Sequence, residues 1–275
     1  MLIALAALSL PAVLCVLVID FFYYFNYYVT DTYFPSYLWV ITDLSTRDYT
    51  YVLQIQTVVL CVFGIVGGLI QRYTHRCKWL QVMGLGVRCI SAGLNYWISL
   101  GNTNIATIVM MKVLLSAGGG ISVIGSQVAS QGAVKHKDVA IVIAVLGLWT
   151  NVGGAVGAAI SAALWTEHLP VELATHVPSL SADQITSIFG SIEVARAAEP
   201  RVDIIDAYNA TYRVLSLPAL ICAFVPFVVA CFTHNFSLDS RQNVVEGTLV
   251  VAQQQPAGPA ALHGVRKDDL SGQKS

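Results

Sequence analysis

Long apolar runs alternate with short polar breaks along this chain. Six of the runs are about twenty residues or longer, enough for a helix to cross the roughly 30 Å hydrocarbon core of a bilayer. The predicted spans lie at about residues 4–28, 50–70, 79–100, 105–128, 139–165 and 212–232. The pattern therefore predicts an all-α integral membrane protein, with a six-helix bundle over residues 1–232. With its aromatic continuation to Trp39 the first run is too long for one straight crossing, so a kink or end is expected near Pro11 or Pro35.

Two longer polar segments interrupt or follow the apolar runs. The connection at 166–211 contains Ser181 and Gln184 at the spacing of a capping box, which predicts that a short amphipathic helix begins there. Pro200 breaks the chain, and a second helix is expected to lead from it into the last span. The tail at 233–275 is rich in Gln, Pro and Gly and is predicted to be disordered.

Positive charge is concentrated on one side of the predicted membrane. The turns after the second and fourth spans are basic, as is the tail, and the positive-inside rule places them in the cytoplasm together with both termini. The basic residues of the two turns are Arg72, Arg76, Lys78, Lys135 and Lys137. The connection at 166–211 is then external and contains a glycosylation motif at Asn209, whereas a second motif at Asn235 is cytoplasmic.

The composition agrees with a membrane protein and narrows its chemistry. Only 11% of the 275 residues are charged, against about 25% in soluble domains, and the net charge of −1 does not indicate a nucleic-acid partner. The six cysteines lie in or beside apolar runs, which is typical of small buried hydrophobes rather than of disulfides or a zinc site. The six histidines lie in turns, loops or the tail, so none is placed to hold haem between facing helices. We therefore expect the lipid bilayer as a partner, no cofactor, no metal site and no enzymatic activity.

The segment from Ile19 to Tyr33 combines many aromatic rings with two carboxylates. Asp20 and Asp31 are eleven positions apart, close to three helical turns, so they share one face, with Tyr24 and Tyr27 or Tyr28 between them. A carboxylate within a membrane helix is a candidate functional residue because burying its charge is costly. The alternative is that the aromatic residues anchor the helix at the membrane interface and that Asp31 lies in the water just outside.

Small and charged residues mark further positions inside the predicted spans. Small residues spaced four apart allow two helices to approach closely, and they occur in the second and fifth spans. These predicted packing residues are Gly64 and Gly68, and Gly153, Gly157 and Ser161. Arg88 and Lys112 fall near the middle of their spans, where either charge pairing or snorkelling towards an interface is open to them.

Several blocks of sequence, taken in order, resemble a known family over most of the chain. The main blocks are Asp20-Phe21-Phe22-Tyr23-Tyr24-Phe25, Arg72-Tyr-Thr-His-Arg76-Cys-Lys78, Ile108-Val109-Met110, His136-Lys-Asp-Val-Ala140 and Pro200-Arg201. Together they resemble the C-terminal half of the fungal siderophore–iron transporters of the major facilitator superfamily. Such transporters have twice this number of spans or slightly more, so the resemblance implies that an N-terminal half is missing here.

Two departures from the family accompany this resemblance. The segment 1–16 is uncharged where the family has a basic lead-in, so a truncation, a misplaced gene boundary and a genuine half-protein all remain open. Lys112 stands where the resemblance implies a neutral polar residue such as Gln.

The resemblance implies proton-coupled uptake of a ferric hydroxamate siderophore by alternating access. The siderophore itself ligates the iron, so the protein needs aromatic walls and a few polar groups rather than metal ligands. The implied cavity residues are Tyr23, Tyr24, Asn26, Tyr27, Tyr28, Tyr33, Gln54, Gln127, Trp149 and Asn151. The implied proton-coupling candidates are Asp20 and Asp31. The implied gating residues are Gly68, Arg72, Arg76 and Lys78, with Gln71 in place of the usual acidic residue.

Other hypotheses remain open at this point. The rest of the cavity would come from the missing N-terminal half or from a homodimer, in the plasma membrane or an endosomal vesicle membrane. The alternatives to siderophore transport are half of a proton-coupled efflux carrier for drugs or other small molecules, or a non-transporting membrane remnant or scaffold.

Overall fold

The structure is a computed structural model that describes residues 11–74, 77–132 and 139–232. Within those ranges the chain forms nine helices and no strand. They are α1 (Pro11–Asp31), α2 (Phe34–Ile41), α3 (Thr46–Thr74), α4 (Cys77–Ser99), α5 (Ile105–Gly132), α6 (Val139–His176), α7 (Ala182–Gly190), α8 (Ile192–Ala197) and α9 (Arg201–Phe232). The predicted disordered tail and the glycosylation motif at Asn235 lie outside the described residues.

Five stretches within the described ranges are long and apolar enough to cross a membrane. They are Val13–Ile41, Thr46–Thr74, Ile105–Val128, Val139–His176 and Arg201–Phe232. The predicted span at 79–100 coincides with α4, a helix of 23 residues that is not among the five and that carries the polar residues Arg88 and Asn95. The all-α membrane class is therefore confirmed, and the sixth span stays a prediction.

The overlong first span is divided as the sequence indicated. Helix α1 ends at Asp31, a turn follows, and α2 begins with Pro35 in its first turn. Proline fits there because the first helical residues have no intrahelical partner for their N–H groups. The predicted irregularity near Pro35 is confirmed.

The predicted connection at 166–211 is mostly helical. Helix α6 continues through Pro170 to His176, and α9 already begins at Arg201. The predicted capping box is confirmed, because the Ser181 hydroxyl accepts from the backbone N–H of Gln184, whose side chain accepts from the backbone N–H of Ser181. The irregular backbone is confined to short turns.

The glycosylation motif at Asn209 lies inside the bundle rather than in an external loop. Asn209 is a buried residue of α9, and its side-chain oxygen accepts a hydrogen bond of 2.7 Å from the Tyr37 hydroxyl. The Tyr37 ring also stacks on Tyr212 at a centroid distance of 4.1 Å. A glycan therefore has no space at Asn209 in the folded protein.

Helix α5 is central to the packing. It packs along α3 and α4 and also contacts α1, while α1 packs along α6 and α9. Helix α9 closes the bundle by packing on α4 and α6. We call the end where α1 meets α2 the α2 end, and the end where α3 meets α4 the turn end.

Three consecutive glycines let α5 approach three neighbours at once. Successive helical residues point about 100° apart, so Gly118, Gly119 and Gly120 face different helices. A Cβ at Gly118 would lie 3.1 Å from the Arg88 nitrogen of α4, and one at Gly119 would lie 2.5 Å from the Tyr23 hydroxyl of α1. A Cβ at Gly120 would lie 2.6 Å from the carbonyl oxygen of Leu60 in α3. A side chain at Gly118 or Gly120 would therefore meet the backbone of a neighbouring helix, and one at Gly119 would have to displace the Tyr23 hydroxyl.

Replacing Gly120 with alanine tests this packing. We expect Gly120→Ala to destabilise the bundle by about 1–3 kcal/mol, because the new methyl group meets backbone that cannot rotate away. Gly93→Ala is the matched control: a Cβ there has no neighbour within 4 Å, and alanine favours a helix over glycine by up to about 1 kcal/mol. Thermal unfolding of the purified chain in detergent measures both. Equal unfolding midpoints for the two variants would contradict the packing described here.

Candidate functional site

Both predicted carboxylates lie on the side of α1 that faces α5. Helix α1 is continuous from Pro11 to Asp31, so Asp20 and Asp31 share its face as predicted. Their neighbours on α5 lie on either side of Gly119: Ser126 lies beside Asp20, and Lys112 is the ion-pair partner of Asp31. We call this contact line the α1–α5 seam. The Tyr23 hydroxyl against Gly119 lies between its two polar ends.

Asp31 belongs to a closed network of four side chains. Its Oδ1 is 2.5 Å from Lys112 Nζ, and its Oδ2 accepts a 2.5 Å hydrogen bond from the Tyr27 hydroxyl. Lys112 also donates to Gln56 Oε1 at 3.0 Å, and the Gln56 amide donates to the Tyr27 oxygen. The Lys112 ammonium lies 4.1 Å from the ring centroid of Phe34. Every charge in the network therefore has both an opposite charge and neutral partners.

This network decides two questions that the sequence left open. The Lys112 side chain is only 3% exposed and that of Asp31 only 23%, so Lys112 does not snorkel and Asp31 is not free in water. The lysine at a position where a neutral residue was expected is explained by the carboxylate opposite it. A buried ion pair of this kind is stable only with good geometry and additional hydrogen bonds, and both are present.

Gln56 is a site residue that the sequence analysis missed. Gln54 was named instead, but it lies on the exposed face of α3. Residues two positions apart on a helix point in directions that differ by about 200°. Gln56 therefore points away from Gln54 and reaches the network. A second glutamine in the same span was the one available signal.

Asp20 has a different environment. It is buried, with 8% of its surface exposed, and Ser126 in turn accepts a hydrogen bond of 2.9 Å from the Gln81 amide of α4. The ion pairs formed between described residues do not include Asp20. Within the described ranges, Asp20 therefore has no ion-pair partner, whereas Asp31 is paired with a cation.

Open space adjoins Asp20 rather than Asp31. A cavity of about 210 Å³ beside Asp20 is lined by α1, α5 and α6, and a neighbouring cavity of about 230 Å³ shares Tyr24 and Thr150 with it. The polar residues that line the two are Asp20, Tyr24, Tyr28, Gln127, Ser130, Gln131, Thr150 and Asn151. We call this joint space the α1–α6 groove. The cavity at Asp31 is about 20 Å³, room for about one water molecule.

The groove thus brings four of the predicted cavity residues together: Tyr24, Tyr28, Gln127 and Asn151. Tyr27 belongs instead to the Asp31 network. Trp149 is partly exposed next to Phe21, with ring centroids 5.8 Å apart.

Three other predicted cavity residues make packing contacts. The Arg88 guanidinium lies 3.5 Å from the centroid of the Tyr23 ring, and it donates a hydrogen bond of 3.3 Å to the Tyr23 backbone carbonyl. These two contacts stabilise the buried charge of Arg88. The buried Asn26 amide donates to a backbone carbonyl of α9. Tyr33 stacks on Trp165 with a centroid distance of 4.8 Å. The structure places these three side chains between helices rather than in the groove.

The small-residue stripe of α6 faces α1. A Cβ at Gly153 would lie 2.6 Å from the Phe21 carbonyl oxygen, and one at Gly157 would lie 2.5 Å from that of Phe25. Ser161 is buried further along the same stripe. These contacts hold the two helices that form one side of the groove.

The corresponding glycines of α3 behave differently. The Gly64 nitrogen lies close to Gly120 of α5, whereas a Cβ at Gly68 would have no neighbour within 4 Å. The close contact falls on Gly67, where a Cβ would lie 3.3 Å from the Ile121 Cα atom.

The predicted gating residues lie at the turn end. Arg72 is exposed and Lys78 is half-buried, while Arg76 lies outside the described residues. Gln71 is buried, and its amide has no hydrogen-bond partner within the part of the chain that the structure describes.

The chain is similar to characterised fungal transporters. It is 36% identical over 235 residues to the low affinity heme transporter str3 of Schizosaccharomyces pombe, a match covering 84% of this chain and 37% of the relative. It is 36% identical over 236 residues to the siderophore transporter fer7 of Mycosarcoma maydis, covering 84% and 36%. It is 33% identical over 184 residues to the MFS siderochrome iron transporter 1 of Ajellomyces capsulatus, covering 66% and 31%. No family model matches the chain.

Apolar helices of this length, arranged in a bundle, and similarity to transporters define a multi-pass integral membrane protein. The chain is a relative of the fungal siderophore and siderochrome iron transporters of the major facilitator superfamily, which confirms the resemblance found in its sequence. It spans a little over a third of the length of the first relatives it matches.

Removing one member of the buried ion pair tests its role in stability. We expect Lys112→Met to destabilise the bundle by about 3–5 kcal/mol, because the Asp31 carboxylate is then buried without a counter-charge. Asp31→Asn combined with Lys112→Met is expected to recover most of that loss, since neither charge remains. A double-mutant cycle on the free energy of unfolding in detergent measures the coupling.

A matched control for this prediction is the ion pair between Arg201 and Asp43. It has a 2.7 Å contact, but the Asp43 side chain is 85% exposed. Asp43→Asn is therefore expected to cost no more than about 1 kcal/mol. If the losses in free energy of unfolding caused by Asp31→Asn and Lys112→Met simply add in the double variant, the two residues are not coupled. That result would contradict the buried ion pair.

Proposed function

We propose that this chain forms one wall of a transporter that carries ferric siderophores across a membrane. The observation that carries the proposal is the α1–α6 groove, an aromatic and polar space beside a buried carboxylate, in a chain whose relatives include siderophore transporters. The efflux and scaffold hypotheses lack comparable support.

The chemistry of the groove suits a ligand whose iron is already coordinated. Tyr24 and Tyr28 offer aromatic surface with hydroxyl groups, and Gln127 and Asn151 offer amides that can pair with a peptide-like ligand. A ferric siderophore needs orientation by such groups and no ligand from the protein.

The charge of the groove favours the hydroxamate type. Three hydroxamates neutralise one ferric ion, whereas three catecholates leave an excess of negative charge. The described lining contains the carboxylate of Asp20 and no lysine or arginine. A neutral complex is therefore accommodated more easily than an anionic one.

The groove needs a second wall to enclose a ligand of this size. Each of its two cavities is smaller than the roughly 300–1,000 Å³ of typical ligand pockets, and both are open at one side. Because the chain spans little more than a third of its relatives, we propose that an N-terminal half completes the cavity, with a second copy of this chain as the alternative.

Asp20 is the carboxylate best placed to couple transport to protons. A coupling group must bind and release a proton as the cavity changes its exposure. Asp31 is paired with Lys112 and the Tyr27 hydroxyl, whereas Asp20 borders a cavity large enough for several water molecules and lies beside the neutral Ser126. Among the described residues, the charged and titratable groups around Asp20 are Tyr23 and Tyr24 of α1 and Arg88 of α4.

The proposed orientation follows from the basic turns. We place the turn end, with Arg72 and Lys78, in the cytoplasm and α7 and α8 on the opposite side, in the plasma membrane or an endosomal membrane. The groove beside Asp20 then opens towards the cytoplasm.

An uptake assay tests the proposed substrate. The chain replaces the matching segment of the Mycosarcoma maydis siderophore transporter, and the chimera is expressed in cells that lack siderophore uptake. We expect uptake of a radiolabelled ferric hydroxamate, with a ferric catecholate and haemin as comparison substrates. Normal surface expression without uptake of any ferric hydroxamate would overturn the proposal.

The same chimera tests the assignment of the proton. We expect Asp20→Asn to reduce uptake by about tenfold or more and to abolish its dependence on external pH, because the exchangeable proton is lost. Asp31→Asn is the matched variant: it removes a carboxylate from the same helix and is expected to leave the pH dependence in place. Loss of the pH dependence in Asp31→Asn alone would reverse the assignment.

A further inference from the structure

The network around Asp31 connects three helices at one level of the bundle. The ion pair joins α1 to α5, the bond from Lys112 to Gln56 joins α5 to α3, and the bond from Gln56 to Tyr27 joins α3 back to α1. The backbone of α3 packs along α5 rather than along α1. Helix α3 therefore contacts α1 at this level through the side chains of Gln56 and Tyr27. Breaking the ion pair therefore removes the direct link between α1 and α5 at this level.

Along the α1–α5 seam, free space is distributed unequally on the two sides of the Tyr23–Gly119 contact. Towards the α2 end, the cavity at the network holds about 20 Å³. Towards the turn end, the cavity at Asp20 holds about 210 Å³. The seam is thus closely packed at the network and open beyond the contact at Gly119, while the second cavity of the groove, between α1 and α6, extends to Tyr28.

We propose that the Asp31–Lys112–Gln56–Tyr27 network is a latch that keeps the α2 end of the α1–α5 seam closed, and that its release opens the seam as far as Gly119. The idea rests on the proposed function in one respect, because a transporter must open each end of its cavity in turn. The latch itself is a property of the described helices.

The position of the latch explains why polar groups were retained there. A buried ion pair adds little net stability compared with apolar packing, but it has two discrete states, made and broken. Asp31 is the more exposed partner and lies at the last residue of α1, where the helix gives way to a turn. The end of α1 can therefore move while α5 stays fixed by its glycine contacts to α3 and α4.

Cysteine labelling tests the latch without any substrate. Ser116 of α5 is buried and shares the helical face of Lys112 and Gly119, so it reports on the seam between the latch and the tight contact. Ser122 is equally buried but faces α4, because its backbone nitrogen lies close to Gly84, so it reports on general loosening of the bundle. Each is changed to cysteine in a chain whose six native cysteines are replaced, and the rate of maleimide labelling is measured in lipid nanodiscs.

We expect Asp31→Asn to raise the labelling rate of Ser116→Cys by about tenfold or more, as the open population increases. The rate for Ser122→Cys is expected to stay unchanged. The exchange Asp31→Lys with Lys112→Asp restores an ion pair and is expected to return Ser116→Cys to slow labelling, whereas Asp31→Lys alone gives fast labelling because two cations then face each other.

Two results would overturn the latch. One is an unchanged labelling rate for Ser116→Cys in Asp31→Asn, and the other is an equal rise for Ser122→Cys, which would mean that the whole bundle loosens. Failure of the chimera to take up a hydroxamate leaves these rates unaffected. Normal uptake with unchanged labelling would remove the latch and leave the proposed function in place.

Discussion

A charge inside an apolar bundle must find a partner, and this requirement shapes the structure around Asp31. The carboxylate and the Lys112 ammonium lie 2.5 Å apart, and Tyr27 and Gln56 satisfy their remaining hydrogen-bonding groups. Because these residues come from three helices, pairing the charges also fixes how α1, α3 and α5 meet. The buried cation Arg88 is handled differently, by the ring and the carbonyl of Tyr23. Asp20 is also buried, but it forms no ion pair with any residue that the structure describes.

The backbone contacts make this arrangement of charges possible. Gly118, Gly119 and Gly120 bring α4, α1 and α3 against α5, and Gly153 and Gly157 bring α6 against α1. Close contact at these points leaves the space between α1, α5 and α6 as a groove beside Asp20. The two carboxylates thus lie in different environments: Asp31 is paired in a network that joins three helices, and Asp20 borders the groove.

The helices and the shared face of the two carboxylates could be predicted from the sequence, because both follow from the local period of the helix. The partners could not. Lys112 lies far from Asp31 along the chain, and the choice between Gln54 and Gln56 depends on how α3 is rotated. Composition and spacing also did not show that Asn26 and Tyr23 would be used in packing between helices. The family could be recognised from ordered blocks of residues, since related sequences preserve order even where no single block is specific.

The central claim is that Asp20 is the carboxylate that exchanges a proton, whereas Asp31 serves as the partner of Lys112. Infrared spectroscopy of the purified protein in lipid measures this directly, because a protonated carboxyl group has its own carbonyl band. The account predicts a carboxyl band that varies with pH, disappears in Asp20→Asn and persists in Asp31→Asn. A band that persists in Asp20→Asn and disappears in Asp31→Asn would contradict it.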